Sequence, residues 1–231
     1  MAASLADRVK PRPITNYAPA FSGPAKVSNP PRSAVGAPAR RVTPEVRAAF
    51  IAGAGTVGGL TKQQIEKALA NPRLMLGVPV TTRSTYQVEP AAKPASSAKT
   101  IRPVRGAAAA EYCAWINNRL AWKSAWGTTS LQVTIKKQFC WNGNWVTRAT
   151  GIEIYPWVST AAATAGWKWG GASNVSNYWY VWNGHVNGGH YSKATVKFKY
   201  CPVRISCAFD RLGWISLWGH YNGSWDRNSG A

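Results

Sequence analysis

Carboxylate side chains are scarce in this sequence. Its 231 residues include 8 Asp and Glu against 28 Lys and Arg, which gives a formal net charge of +20 at pH 7. After residue 110 the carboxylates are Glu111, Glu153, Asp210 and Asp226. A glycosidase typically needs two carboxylates that face each other across a cleft, and no spacing pairs these four. The sequence therefore disfavours a glycosidase and predicts no catalytic residue.

Other catalytic and cofactor-binding motifs are also missing. The chain has no Cys-x-x-Cys, no Gly-x-Ser-x-Gly, and no Rossmann or P-loop fingerprint. His185 and His190 flank a glycine-rich turn, but no third metal ligand accompanies them, so we expect both to face water. We therefore expect a protein that is not an enzyme, with no cofactor and no metal site.

Long apolar runs are absent as well. Asp7, Arg8 and Lys10 rule out an apolar signal-peptide core near Met1, and residues 48–60 are too rich in glycine to supply one. No stretch is long enough to span a bilayer. Export by another route, a different true start, or release by cell lysis, as for a virion component, all remain open.

Tryptophan and cysteine are missing from the first 110 residues, which hold 13 of the 15 prolines. Small apolar side chains cannot offset the entropy of ordering such a segment. We predict a disordered basic Pro/Ala-rich arm over 1–59, a short helix segment over 60–80 and a linker over 81–110. Within the helix segment, Thr61 and Gln64 have the spacing of a capping box.

Alternating side chains after residue 110 predict an all-β domain over 111–231. Leu131, Val133 and Ile135 alternate with polar residues, and Ala194, Val196, Phe198 and Tyr200 alternate with Lys and Thr. Asn-Gly pairs at 142–143, 183–184 and 222–223 predict turns. This pattern indicates an antiparallel β-sandwich, Ig-like or jelly-roll-like.

All four cysteines lie in the predicted β-domain, and they allow three pairings. We favour Cys113–Cys140 and Cys201–Cys207, since each pair joins elements that we expect to be adjacent. Four free thiols are the alternative. Two disulfides would imply an oxidising compartment.

A family resemblance follows from several motifs. These are Tyr112-Cys113-Ala114-Trp115, Phe139-Cys140-Trp141-Asn142-Gly143, Tyr200-Cys201-Pro202, Ser206-Cys207 and Tyr221-Asn222-Gly223-Ser224-Trp225. Over residues 60–231 the chain resembles small, uncharacterised secreted β-sandwich proteins of actinobacteria, which are rich in Trp and carry two disulfides. The resemblance implies an extracellular fold and no known activity. The N-terminus departs from it, because a typical member opens with a signal peptide.

Aromatic and basic rows give the candidate binding residues. Tyr178, Tyr180 and Trp182 share one face of a strand, opposite Val175, Trp179 and Val181, which we expect in the core. An exposed aromatic row can stack on sugars or nucleobases; alternatively, the 61–78 helix covers it. Lys193, Lys197 and Lys199 form a basic ladder on the next strand, which can contact phosphates or form a solvated face.

The leading prediction is a non-enzymatic secreted or surface β-sandwich that binds an anionic or carbohydrate envelope polymer. The expected location is extracellular or on the cell surface, and the partner is an anionic cell-envelope polymer or polysaccharide. The first alternative is a virion structural protein of capsid, decoration or tail, whose basic arm contacts nucleic acid or other virion proteins. A secreted hydrolase is the second alternative.

Overall fold

Two β-sheets form the body of the protein in a computed structural model, which describes residues 26–27, 41–90, 111–201 and 207–231. One sheet, sheet A, has the order β1-β6-β4-β3-β2, with β5 paired to β4. The other, sheet B, has the order β10-β9-β8-β7. The strands are β1 (Lys26–Val27), β2 (Thr81–Pro90), β3 (Tyr112–Lys123), β4 (Thr129–Trp141), β5 (Val146–Ala149), β6 (Glu153–Val158), β7 (Trp167–Trp182), β8 (His185–Tyr200), β9 (Phe209–His220) and β10 (Trp225–Gly230).

The predicted alternation places the core between the two sheets. From sheet A, Leu131, Val133 and Ile135 are fully buried. From sheet B, Ala194, Val196, Phe198, Ile215 and Leu217 are fully buried. Every pairing among β2 to β10 is antiparallel, while β1 pairs with β6 in parallel. The prediction of an antiparallel all-β sandwich is confirmed at this level, without an assignment to the Ig or jelly-roll type.

Within the described residues, four short helices accompany the sandwich: α1 (Pro44–Ala54), α2 (Lys62–Leu69), α3 (Pro72–Gly77) and α4 (Thr160–Thr164). The capping box predicted for α2 is present, because Thr61 Oγ1 accepts from the Gln64 amide and Gln64 Oε1 accepts from the Thr61 amide. Met75 and Val78 are buried in the common core, so this segment packs onto the sandwich. None of the helices in the described ranges combines the length and apolar character that a membrane crossing requires.

Two predicted boundaries differ from the structure. Residues 44–54, assigned to a disordered arm, form α1, which Thr43 caps and which carries Pro44 in its first turn. Residues 81–90, assigned to a linker, form β2, which pairs with β3 along its whole length. Long-range pairing stabilises β2, although its composition gives little local signal. The parts of the predicted arm and linker over 1–25, 28–40 and 91–110 lie outside the described residues.

The prediction that Val175 and Val181 face the core is wrong. Val175 is 38% exposed and Val181 is 47% exposed. The pairing of β7 with β8 shifts register between Ser173 and Ser176, and again between Tyr180 and Trp182. A bulge changes which side chains share a face. The two irregularities therefore leave only Trp179, of the three expected residues, buried in the core.

Candidate functional site

The outer face of sheet B carries a ladder of aromatic rings that crosses three strands. Tyr178 pairs with Tyr191, which in turn pairs with Trp218. The centroids of the first two rings lie 4.8 Å apart, and those of Tyr191 and Trp218 lie 4.7 Å apart. Tyr191 is buried by its neighbours, which raises the pKa of its phenol to about 12. The ladder thus forms a continuous apolar strip whose two outer members, Tyr178 and Trp218, are partly accessible.

Tyr180 and Trp182 extend the strip toward the β7–β8 turn. Tyr180 is buried and donates its hydroxyl to Nδ1 of His220, at 2.9 Å. Since the carboxylate of Asp226 can only accept, His220 Nε2 must carry the proton of the 3.0 Å contact to Asp226 Oδ2. The Trp182 ring stacks on His220 at 4.0 Å. The face is therefore held in one arrangement by a Tyr180–His220–Asp226 hydrogen-bonded relay.

Burial sets the protonation states within this relay. It lowers the pKa of His220, although the bond to Asp226 opposes that shift. Burial also raises the pKa of Tyr180, and the Asp226 charge adds to this effect. Both groups are therefore neutral near pH 7, which fits the donor and acceptor roles above.

Three predicted lysines lie on the same outer face, further along β8. The Lys193 ammonium lies over the Trp214 ring, 5.2 Å from its centroid. Lys197 Nζ is 3.4 Å from Asp210 Oδ2, so one lysine is partly neutralised. Lys193, Lys197 and Lys199 are all partly exposed. We use "sheet B face" for the surface that the aromatic strip and these three lysines form together.

The predicted aromatic row and the predicted lysine row extend in opposite directions along sheet B, starting from Tyr191 on β8. Tyr178 lies beside Tyr191, whereas Trp182 pairs near His185 and Lys199 pairs with Lys168. The aromatic strip and the lysines therefore adjoin at Tyr191 and Lys193 and extend from there toward opposite ends of β8. The helix α2 does not cover the row: it packs against α1 and α3, and α4 contacts β7, which begins next to it at Trp167. Trp182 lies fifteen residues further along β7, roughly 50 Å of extended strand.

The carboxylates of the β-domain each have their own partner and do not converge. Glu111 binds Arg148, which lowers the pKa of the glutamate. Glu153 accepts from the Tyr155 hydroxyl. Asp210 and Asp226 contact Lys197 and His220, near opposite ends of sheet B. No pair among these four faces another across a cleft.

A buried lysine is the main feature that the sequence prediction missed. Lys137 is fully buried between the sheets, and its Nζ lies 2.6 Å from His190 Nδ1, 3.0 Å from the His190 carbonyl oxygen and 3.1 Å from Ser192 Oγ. Its position continues the buried series 131, 133, 135, so the same alternation could have located it. His190 is also fully buried, so the prediction that it faces water is wrong. His220, a third histidine, is buried too.

Hydrogen-bond geometry and burial both favour a neutral amine at Lys137. A neutral amine donates twice and accepts once, which matches the His190 carbonyl, the Ser192 hydroxyl and an Nδ1–H group of His190. His190 Nε2 has no hydrogen-bond partner among the described residues. A protonated lysine would move the imidazole proton to that atom and leave a buried donor unpaired. Burial lowers the pKa values of Lys137 and His190 well below their usual ranges.

Both predicted disulfides are present. Cys113–Cys140 joins residues directly opposite each other on β3 and β4, and Cys201–Cys207 closes the segment between β8 and β9. Ligand atoms of Glu111, Cys113 and Cys140 lie within 4.8 Å of one another. Oxidised cysteines cannot supply the thiolates of a metal site, so we do not assign a metal to this group.

A small pocket adjoins the first disulfide. Its volume is about 220 Å³, and Gln138, Cys140, Arg148, Ala149 and Thr150 line it. Typical ligand pockets are larger, roughly 300–1,000 Å³. The extended sheet B face is therefore the better candidate site.

Comparison of the chain with protein-family models, curated proteins and solved structures found no match. The resemblance to secreted actinobacterial proteins therefore stays a prediction.

Proposed function

We propose that the protein is a non-enzymatic β-sandwich that binds an anionic polymer of a cell envelope, such as a phosphate-bearing polysaccharide, through the sheet B face. The observation that carries the proposal is the continuity of the Tyr178–Tyr191–Trp218 ladder with Lys193, Lys197 and Lys199. Rings supply contact area for sugar units, and the ammonium groups supply salt-dependent contacts with phosphates.

The charge of the chain and its disulfides also support an anionic extracellular polymer as the partner. The chain carries a net charge of +20, which attracts polyanions over long range. Two disulfides fit an extracellular location, where such polymers occur. Because the four carboxylates of the β-domain have separate partners, binding accounts for the sheet B face better than hydrolysis does.

The test is binding of the full chain to purified wall teichoic acid, measured by biolayer interferometry at a series of NaCl concentrations. We expect affinity to fall steeply with salt. The triple variant K193Q/K197Q/K199Q should weaken binding about tenfold and flatten the salt dependence. Asp210→Asn, which frees Lys197, should strengthen it.

The matched control is K62Q/K67Q/K123Q, which removes an equal number of positive charges from positions outside the sheet B face. We expect less than about a twofold change, since distant exposed charges are screened. Equal losses from both triple variants would reduce the interaction to net charge and overturn the proposed site. Binding that does not respond to salt would do the same.

A structural role in a virion is the second candidate, and the observation that favours it is β1. Lys26–Val27, from the predicted arm, adds a parallel strand to the free edge of β6. Strand addition of this kind can join subunits. Sedimentation of the full chain and of a variant lacking residues 1–40 tests it: assemblies that disappear on truncation support this role, and a monomer in both cases excludes it.

A further inference from the structure

Three Asn-Gly turns meet at one end of the sandwich. They belong to the β4–β5, β7–β8 and β9–β10 hairpins. We call the surface formed by residues 141–146, 181–189 and 219–225 the hairpin end. The Gly143 amide donates to the Tyr221 carbonyl, at 3.2 Å, and the Tyr221 amide donates to the Gly188 carbonyl, at 2.8 Å. The Trp141 indole lies so close to Gly223 that an added Cβ would be 2.5 Å from it. The three turns therefore form one connected surface.

The hairpin end exposes aromatic and apolar side chains. Tyr112 is 59% exposed and Trp145 is 49% exposed, and Val181 and Val186 are similarly accessible. The Tyr221 ring stacks on His185 at 4.1 Å. Exposed apolar groups concentrated in this way mark a contact surface more often than a solvated one.

Formal charge is absent from all three turns. Residues 141–146, 181–189 and 219–225 contain no Asp, Glu, Lys or Arg, although the whole chain carries +20. Their polar groups are mainly amides and hydroxyls. Asn142 and Asn222 use their Oδ1 atoms to accept backbone amides within the turns, which leaves each NH2 group as a donor. Asn187 has a buried Oδ1 with no hydrogen-bond partner among the described residues.

We propose that the hairpin end binds a neutral saccharide. The C–H face of a sugar ring packs on the negative face of an aromatic ring, and neutral amides satisfy hydroxyl groups without the cost of desolvating a charge. Loops rich in Tyr, Trp, Asn, Ser and Gly form adaptable binding surfaces of this type. An anion is disfavoured because no cationic side chain lies in these turns.

This site differs from the sheet B face in chemistry, and Trp182, where the aromatic strip reaches the β7–β8 turn, is the member of that strip that lies in these turns. Trp145 and Tyr221 belong to the hairpin end, whereas Lys193, Lys197 and Lys199 lie along β8 beyond Tyr191. Failure of the anionic-polymer proposal would therefore not remove this one, and the reverse also holds.

The test is a pull-down of the full chain on insoluble cellulose, chitin and curdlan in 0.5 M NaCl, which screens the basic surface. We expect retention on at least one of these neutral polysaccharides. The double variant Trp145→Ala/Tyr221→Ala should lose at least tenfold in affinity, and K193Q/K197Q/K199Q should bind like the wild type. Tyr155→Ala is the matched control, since it removes a 41% exposed ring from β6, which belongs to sheet A.

Three results would overturn the proposal: no retention on any of the three polysaccharides, wild-type retention by the double variant, or loss of retention in the lysine variant. A fourth is concentration-dependent self-association that W145A/Y221A abolishes, because a second copy of the chain would then occupy the surface. Near-UV circular dichroism of each variant separates loss of binding from loss of fold.

Discussion

Lys137 Nζ and His190 Nδ1 lie 2.6 Å apart in the interior, between β4 of one sheet and β8 of the other. In the part of the chain that the structure describes, the other hydrogen-bond partners of Lys137 are the His190 carbonyl and the Ser192 hydroxyl, and neither is a carboxylate. The arrangement closes the core with a neutral polar cluster rather than an ion pair. Because both groups can bind a proton, the free energy of unfolding should depend on pH.

The free energy of unfolding should rise with pH because of Lys137. The folded pKa lies well below 10.5, so between these two values the unfolded chain binds a proton that the folded chain does not. Stability therefore increases with pH across this window, by up to about 1.4 kcal/mol per pH unit for one proton. His190 and His220, whose pKa values are both lowered by burial, add the same sign of slope below their usual pKa of 6.5. Urea unfolding from pH 5 to about pH 9, below the usual pKa of tyrosine, measures the lysine and histidine contributions.

The variant Lys137→Met tests the assignment, because it removes the titrating amine while filling a similar volume. We expect the slope between about pH 7 and pH 9 to become flat, leaving the contributions of His190 and His220 below pH 6.5. Arg148→Met, at an exposed position, is the control and should keep the wild-type slope. An unchanged slope in Lys137→Met would show that Lys137 is charged in the folded protein.

Gly189 and Tyr180 should couple strongly in a double-mutant cycle. The Tyr180 ring lies over Gly189, and a Cβ at that position would be 2.2 Å from the ring. We expect Gly189→Ala to cost about 2 kcal/mol of stability or more, because the ring must move and its bond to His220 must break. In a Tyr180→Ala background the same substitution should cost much less. Additive effects would contradict the contact.

The two disulfides should contribute unequally to stability. Cys113 and Cys140 are separated by 27 positions, and Cys201 and Cys207 by 6. The chain-entropy relation gives about 3.5 kcal/mol for the longer loop and about 2 kcal/mol for the shorter one. Denaturant unfolding of C113A/C140A and C201A/C207A measures the difference. A larger loss from the second pair would show that strain or residual structure in the unfolded chain dominates.

The alternation of apolar and polar residues along the strands explains why much of the fold could be predicted. Leu131 to Ile135 and Ala194 to Tyr200 keep a strict period of two, and those strands have the predicted faces. Thr61 and Gln64 form the predicted capping box, since that signal depends only on local spacing. The pairing of the cysteines could be predicted because each disulfide joins elements that were expected to be adjacent.

The errors arose where pairing with distant residues overrides local pattern. The composition of β2 resembles a linker, yet β3 supplies a complete row of backbone partners for it. Val175 and Val181 follow the period of two, but register shifts turn them outward. His190 looked like a turn residue, and only the opposite sheet supplies the amine that makes its burial possible.

By itself, the sequence determined the two sheets' core faces, the capped helix, the disulfide pairs and the row Tyr178, Tyr180 and Trp182, because each depends on spacing within a few residues or between neighbouring strands. Only the tertiary structure decided that Tyr191 and Trp218 complete the row, that Lys137 is buried against His190, and that three uncharged turns meet at one end. These contacts join residues that are tens of positions apart, and the register of long strands, which no local pattern encodes, sets their distances.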